Sequence, residues 1–482
     1  MSTRASPLNP PASAQPTAAP PEPRLFDRDR AAASAGAVAL ISMLAFEALA
    51  TAAVMPAVAT ALDGLGSYAL SFGGPMALSV LGMVLAGQSA DRHGAWRATA
   101  AGLLLFAAGL LVAGLAPGMG WLVLGRMLQG LGGGMLGVTL YVGMGQVVPA
   151  ALHPRLFSLF ATAWVLPGLV GPSLAAALVG WLGWRSVFLV VAAAVPVAAA
   201  LLLPAYARLP AAAVDRRAQG NAPAARARLA WAAVAAAGAL ALHGAGQLAN
   251  GTPLGSASLA LLSGGLLAAL LAASRLLPPG SLRAGRGLPA AVALRGLMAA
   301  SFATAEVFLP LLLTQQHHWS LAQVGLALSA GAVSWSAGSA LQSRLLSPQH
   351  RRIGLVTGFA LLGAGITGLA LPQALGWPAL VVVPAWAVAG FGIGLGFPML
   401  SVLTLALSAP GTSGRNASAL QLSDALTCSA SLAVAGALYT SGAAPGGLLV
   451  LALAAALAAA GALLGSRAFG LAVVDAPRFS RT

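Results

Sequence analysis

Three carboxylates in apolar surroundings are the residues of this chain best placed to do chemistry. The 482 residues include only ten acidic ones. Glu22, Asp27, Asp29, Asp63, Asp215 and Asp475 fall in tails and polar breaks, and Asp91 falls in a short basic stretch. That leaves Glu47, Glu306 and Asp424 inside apolar blocks. An ionised side chain at the centre of a membrane helix costs about 3 kcal/mol on insertion scales, so each must face a water-filled cavity, pair with a cation or hold a proton. A carboxyl held away from water favours its protonated form, which makes all three candidate proton-exchange groups. Arg126, also inside an apolar block, is the cation expected near Glu47, where it would make protonation conditional. Glu47, Arg126, Glu306 and Asp424 are therefore the expected proton-coupling residues.

Gln421, Asp424, Cys428 and Ser431 recur at i, i+3, i+7 and i+10, which puts them on one face of a helix. Such a polar stripe is expected to border a water-filled interior; a hydrogen-bonded packing seam between helices is the alternative. Trp164, Trp335 and Gln342, with Gln129 and Gln421, are candidate lining for an amphipathic or cationic organic molecule, against the alternative of interfacial or packing tryptophans. Cys428 is the only cysteine, so neither a disulfide framework nor a cysteine-based zinc site can be built. The adjacent His317 and His318 are expected in a wet loop, not at a metal. No paired His and Asp at metal spacing and no activated serine is found. The expectation is no enzyme activity, no metal, and no cofactor beyond the proton as coupling ion.

These residues need elements to position them. The chain is 59% hydrophobic and 7% charged, against roughly 25% charged in an average soluble protein, which excludes a soluble globular enzyme. With about 20 apolar residues per membrane-spanning helix, the apolar blocks place helices near 33–60, 67–89, 98–117, 121–147, 156–180 and 185–206. Two more follow near 229–250 and 255–274, then 289–314, 321–344, 353–371, 379–408, 416–440 and 446–467. The expected fold is an all-α polytopic membrane protein of about fourteen transmembrane helices, two six-helix halves with an inserted helix pair. Its expected parts are a disordered tail at 1–30, an N-terminal half at 31–206, a basic linker at 207–228, the inserted pair at 229–274, a second basic linker at 275–288, the C-terminal half at 289–470 and a tail at 471–482. The first tail is not read as a signal peptide, because the apolar block after it is too late and too long.

The net charge of +15 comes from 25 basic residues, all arginine. Every second connection is basic, through Arg92 and Arg97; Arg155; Arg208, Arg216, Arg217, Arg226 and Arg228; Arg275, Arg283 and Arg286; Arg344, Arg351 and Arg352; and Arg415. Positive charge marks cytoplasmic loops, so both termini are expected inside, in a bacterial-type inner membrane. The charge is a topology signal, and no nucleic-acid partner is expected. The expected partners are membrane lipids and a small-molecule or lipid substrate; protein partners are unknown.

The first basic loop reads Gly87-Gln-Ser-Ala-Asp91-Arg92-His-Gly94-Ala-Trp-Arg97. It resembles the signature loop between the second and third helices of the major facilitator superfamily. Gly87, Ala90, Asp91, Arg92 and Gly94 match, while Ser89, Ala95 and Trp96 depart and Arg97 comes one place late. The resemblance implies a gating loop, in which Asp91 can face a neighbouring helix N-terminus while Arg92 pairs with it; a solvated turn that only sets topology is the alternative. Arg126-Met-Leu-Gln129-Gly130-Leu-Gly132 resembles the superfamily's Arg-x-x-Gln-Gly-x-Gly motif. Gly168, Gly171 and Pro172, followed by Ala175 and Ala176, resemble the antiporter motif of its drug and proton exchangers. Glu47 precedes Pro56 by nine residues, similar to an acidic position in its fourteen-helix drug exporters. Glu306 sits in the ninth block as Glu47 sits in the first, in keeping with two related halves.

The resemblance implies a proton-coupled transporter, with efflux of amphipathic drugs or other organic compounds by antiport and alternating access as the leading expectation. Export of a lipid or glycolipid and proton-coupled metabolite uptake use the same parts. A non-transporting scaffold or receptor is the remoter alternative.

Overall fold

The computed structural model describes residues 25–27, 30–149, 152–209, 222–249, 255–345, 347–409, 412–441 and 445–469. Residues 1–24, most of the first basic linker and the tail from 470 lie outside the described residues, and with them Glu22, Asp29, Asp215, Asp475, Arg216 and Arg217.

Fourteen long helices account for nearly all of the described chain: α1 Ala31–Ala61, α2 Tyr68–His93, α3 Ala95–Gly114, α4 Met119–Val147, α5 His153–Leu182, α6 Arg185–Ala207, α7 Ala222–Ala249, α8 Ser256–Leu276, α9 Leu288–His317, α10 Leu321–Gln342, α11 Pro348–Leu369, α12 Val382–Ala406, α13 Ser413–Thr440 and α14 Gly446–Leu464. Thirteen are long and apolar enough to cross a membrane by length and composition. The remaining one, α4, is as long but diluted by Arg126, Gln129 and its glycines. No strand occurs among the described residues, and the polytopic all-helical fold expected from the apolar blocks is the fold observed. Several helices run past the apolar blocks: Arg155, Arg351, Arg352 and Arg415 lie in first turns instead of loops, and His317 closes α9 with His318 in the left-handed region. A five-residue helix, Leu371–Leu375, lies in the connection between α11 and α12.

The two sets of six helices pack in the same way. In the first, α1 packs on α5 and α6, α4 on α2 and α3, and α3 on α6; in the second, α9 packs on α13 and α14, α12 on α10 and α11, and α11 on α14. Glycine makes the closest of these approaches. A methyl at Gly130 of α4 would collide with the backbone of Pro75 in α2, and one at Gly132 would lie 2.6 Å from the Phe106 nitrogen of α3. The Gln-Gly-x-Gly spacing therefore seats a different neighbour on each side of α4. In the second half, Gly394 of α12 meets the Trp335 carbonyl of α10, and Gly392 would place a methyl 2.5 Å from the Leu362 nitrogen of α11.

The start of α1 and the end of α14 lie at one end of the helix bundle, here called the terminal end, opposite the far end. The halves touch directly in their far-end portions. Ala69 of α2 meets Gly436 of α13, the Tyr68 hydroxyl donates to the Val307 carbonyl at 2.7 Å, and Phe308 packs on Tyr68 and Tyr439. On the opposite side, Gly325 of α10 crosses α5 at Pro172. Toward the terminal end α2 and α13 are bridged by α7: Val80 and Val84, Ala232 and Ala235, and Ala419 and Leu422 form one apolar cluster. Tyr141 of α4 is 45% exposed and packs edge-on against Phe160 of α5.

Candidate functional site

Among the described residues each half holds one ion pair between helices, buried in the first half and partly exposed in the second. In the first half the Arg126 guanidinium of α4 donates through Nη1 to Glu47 Oε1 of α1. The same Nη1 donates to Gln129 Oε1 at 2.6 Å, and Nε donates to the Ser71 carbonyl of α2 at 3.2 Å. Thr51, one turn beyond Glu47, donates its hydroxyl to Glu47 Oε1 at 3.2 Å. Arg126 thus ties α1, α2 and α4 together, with both charged residues buried. Gln129, expected among the lining of a substrate cavity, is buried in this network, with its Nε2 left without a partner. An arginine three residues before a glutamine on one helix face reaches it readily.

In the second half Asp424 of α13 accepts two hydrogen bonds from Arg295 Nε of α9, at 3.1 and 3.0 Å. Arg295 Nη1 donates to the Phe397 carbonyl at 3.0 Å and to Ser401 Oγ at 2.8 Å, both on α12. The guanidinium carbon lies 3.2 Å from the centre of the Phe397 ring, a cation–π contact. These side chains are 12% and 22% exposed, against 7% and 10% for Arg126 and Glu47. From the first half, Tyr141 of α4 lies in electrostatic range of Arg295. Arg295 went unmarked in the sequence. The signal was there: an arginine seven residues into an apolar block carries the same cost as Arg126.

The polar stripe of α13 is largely a packing seam against α9, contrary to the wet face expected. Ser431 accepts from Thr304 at 3.0 Å, Cys428 is buried, and Asp424 is held by Arg295. The parallel course of α9 and α13 makes these residues neighbours, a relation that helix periodicity on one chain segment does not contain. Only Gln421 and Asp424 keep partial exposure.

Glu306 differs from both other acids. It is half-buried on α9 and has no hydrogen-bond or ion-pair partner among the described residues. It lies eleven residues beyond Arg295 on the same face, about 16 Å along the helix axis, and shares electrostatic range of Cys428 with Arg295 and Asp424.

Of the expected lining residues, Trp335 packs edge-on against Phe302 and Phe397, while Phe302 stacks on Trp386 at 4.7 Å between ring centres. Trp335 is thus part of an aromatic column leading to Arg295. Trp164 is exposed on α5, and Gln342 is buried at the end of α10. The Gly168, Gly171 and Pro172 segment lies where α5 meets α1 and the opposite half: Gly168 faces Ala332 of α10 and Leu49 of α1, and Gly171 faces Phe46.

In the signature loop, Gly94 adopts φ +80°, the left-handed region that glycine occupies without strain. Gly87 has open space around it, and Asp91, Arg92 and Arg97 are exposed. The expected pairing of Arg92 with Asp91 is not formed: adjacent residues on a helix point apart, and the charge nearest in effect to Asp91 is Arg228 of α7. The neighbouring Gln88 donates to the Ala225 carbonyl of α7 at 2.7 Å, so the inserted pair is anchored to this loop.

A family model described as Major Facilitator Superfamily matches residues 35–305. An uncharacterized MFS-type transporter of Mycobacterium tuberculosis is 32% identical over 136 residues, 28% of this chain and 20% of that protein. A multidrug resistance protein B homolog from the same species is 33% identical over 105 residues, 22% and 19% of the two chains. Multidrug resistance protein 3 of Bacillus subtilis is 26% identical over 148 residues, 31% and 29%. The matched stretches thus span less than a third of these relatives. Among solved structures, an auto-inhibited POT family peptide transporter aligns with TM-score 0.64 at 16% identity, over 90% of this chain and 97% of that one. The human organic anion transporter MFSD10 aligns with TM-score 0.55, also at 16% identity, over 91% and 100%. At this identity the structural likeness concerns the fold.

Proposed function

The chain belongs to the Major Facilitator Superfamily, and from that premise we propose that it is a proton-coupled exporter of amphipathic organic compounds, working by antiport and alternating access. The observation that carries this reading is the contrast between the two central acids: Glu47 is neutralised by Arg126, whereas Glu306 has no cation among the described residues. An unpaired carboxyl in a membrane bundle is stable when it holds a proton or faces a cavity, which is what a coupling group must do in turn. Glu306 is the proton carrier in this reading. The Glu47–Arg126 pair keeps the first half rigid, and the more open Arg295–Asp424 pair meets substrate. We read contact of the halves in their far-end portions, with Tyr141 in electrostatic range of Arg295 toward the terminal end, as an arrangement that opens on the terminal side. With both termini cytoplasmic in an inner membrane, that side is where an exporter loads.

Efflux is favoured over uptake by two observations: the Gly168 to Pro172 segment lies at the crossing of the halves, and two of the relatives are named multidrug resistance proteins. A lipid or glycolipid exporter is the second reading, favoured by the inserted pair, which packs beside a seam between the halves. The test is purified protein in liposomes under an imposed pH gradient, with dyes, drugs and lipids followed in both directions. Uphill movement of amphipathic dyes against the proton gradient supports the proposal; movement of lipids alone supports the second reading.

A further inference from the structure

His243 of α7 is wedged where the two halves meet, and no role in the mechanism above uses it. It is 3% exposed, and its Nε2 has no hydrogen-bond partner. The ring lies directly over Gly73 of α2, where a methyl group would collide with it. On the other side it comes within reach of the Ser429 backbone of α13, and the Ser429 hydroxyl donates to the Gly73 carbonyl at 2.8 Å. The contacts on either side are equally close. Gly246 would place a methyl 3.2 Å from Ala437 of α13, and Gln247 donates to Ser67 at the start of α2 at 3.0 Å. The inserted helix therefore touches both halves at their far-end seam, with an imidazole at the point of contact.

A charged ring in this position would bury a second N–H with no acceptor and no counter-charge, so the closed seam accommodates the neutral ring. The titratable groups of the neighbouring helices do not supply a counter-charge. Tyr68 of α2 is committed to the Val307 carbonyl, Asp424 of α13 is held by Arg295, and Cys428 is a buried thiol in electrostatic range of Asp424 and Glu306. On α7 itself and on α8, the charged residues Arg226, Arg228 and Arg275 lie toward the terminal end.

We infer that His243 is a further proton-binding site of the transport cycle, filled when α2 and α13 part at the far end and emptied when they close. This inference rests on the proposed proton-coupled, alternating-access function. Protonation and closure exclude each other, so by linkage each opposes the other. In the proposed orientation, an acidic exterior would hold the outward-open state until the proton leaves.

The test uses nitroxide labels at Leu65 and Ser441, exposed positions at the far ends of α2 and α13, in full-length protein in lipid nanodiscs with the buried Cys428 left in place. Lowering the pH through the ordinary histidine range of about 6 to 7 should lengthen the distance between them, and His243→Gln should remove more than about half of the shifted population. An identical pH response in His243→Gln, or no response in the unsubstituted protein, overturns the inference. Should His243→Gln not fold, C2-hydrogen exchange of the histidines in the unsubstituted protein reads the same event. His243 should exchange about tenfold faster where the seam is open, and equal rates in both states overturn the inference. Proton-coupled flux in liposomes separates the two proposals. Coupled flux with a histidine-independent distance change leaves the function standing and removes His243, and a histidine-dependent change without coupled flux does the reverse.

Discussion

Arg126 of α4 and Glu47 of α1 close an ion pair inside the first half, yet Glu306, the corresponding acid of α9, has no such cation. The two halves repeat the same helix packing, so the difference lies in the side chains. Where α4 carries Arg126, the glycines of α12 are used for helix contact, Gly390 meeting Gly331 and Ser334 of α10. One acid is paired, and the other has no partner among the described residues.

Breaking the first pair from one side should destabilise the protein strongly. Arg126→Ala leaves a buried carboxylate, a loss of about 3–5 kcal/mol, and lowers the thermal unfolding midpoint in detergent. The double variant Glu47→Gln/Arg126→Gln leaves no net charge and should recover much of that loss. A double variant no more stable than Arg126→Ala would show that the pair is not the source of the effect.

Glycine substitutions on α4 should divide by neighbour. Gly130→Ala drives a methyl into the Pro75 backbone and should reduce the yield of folded protein severalfold, whereas Gly137 has no atom within 4 Å of a new methyl, so Gly137→Ala should stay within about 0.5 kcal/mol of the parent. Size-exclusion profiles of the two variants decide this, and equal profiles would contradict the packing described.

The second ion pair should behave as a unit. Arg295→Ala strands Asp424, while Arg295→Ala/Asp424→Ala removes both charges. The single change should cost more in thermal stability than the double. Because the pair is only partly buried and is proposed to meet substrate, both variants should bind fluorescent amphipathic substrates about tenfold or more weakly. Unchanged substrate affinity in the folded double variant would remove the pair from the binding site.

Locking the far-end contact should arrest the cycle. Cysteines at Ala69 and Gly436, which face each other across α2 and α13, should form a disulfide under oxidation that stops transport, with recovery on reduction. Full activity of the cross-linked protein would contradict alternating access at this seam.

Much of the fold was legible in the sequence because a bilayer imposes a length and an apolar composition on each helix, and arginines in alternate connections register the helix count. Arg126 and the glycines around it stood out for the same reason: they are expensive or small where large apolar residues are expected. The arrangement between helices was less accessible. The partnership of Asp424 with Arg295 needs α9 and α13 side by side, and the α13 stripe became a seam for that reason. Arg295 was hidden by its company, one arginine among 25, most of them topology markers. The run Gly390-Phe-Gly-Ile-Gly-Leu-Gly396 carried a packing signal as clear as that of α4. The position of α7 against Gly73 and Ser429 is a long-range contact with no local pattern to announce it.

The most direct test of the central claim is Glu306→Gln in proteoliposomes, with substrate movement and internal pH recorded together. The account predicts that the variant folds, binds substrate and exchanges it down its own gradient, but neither concentrates it on a proton gradient nor releases protons when substrate moves. Uphill transport at the rate of the unsubstituted protein, with protons still moving, would show that Glu306 is not the coupling group and contradict the account.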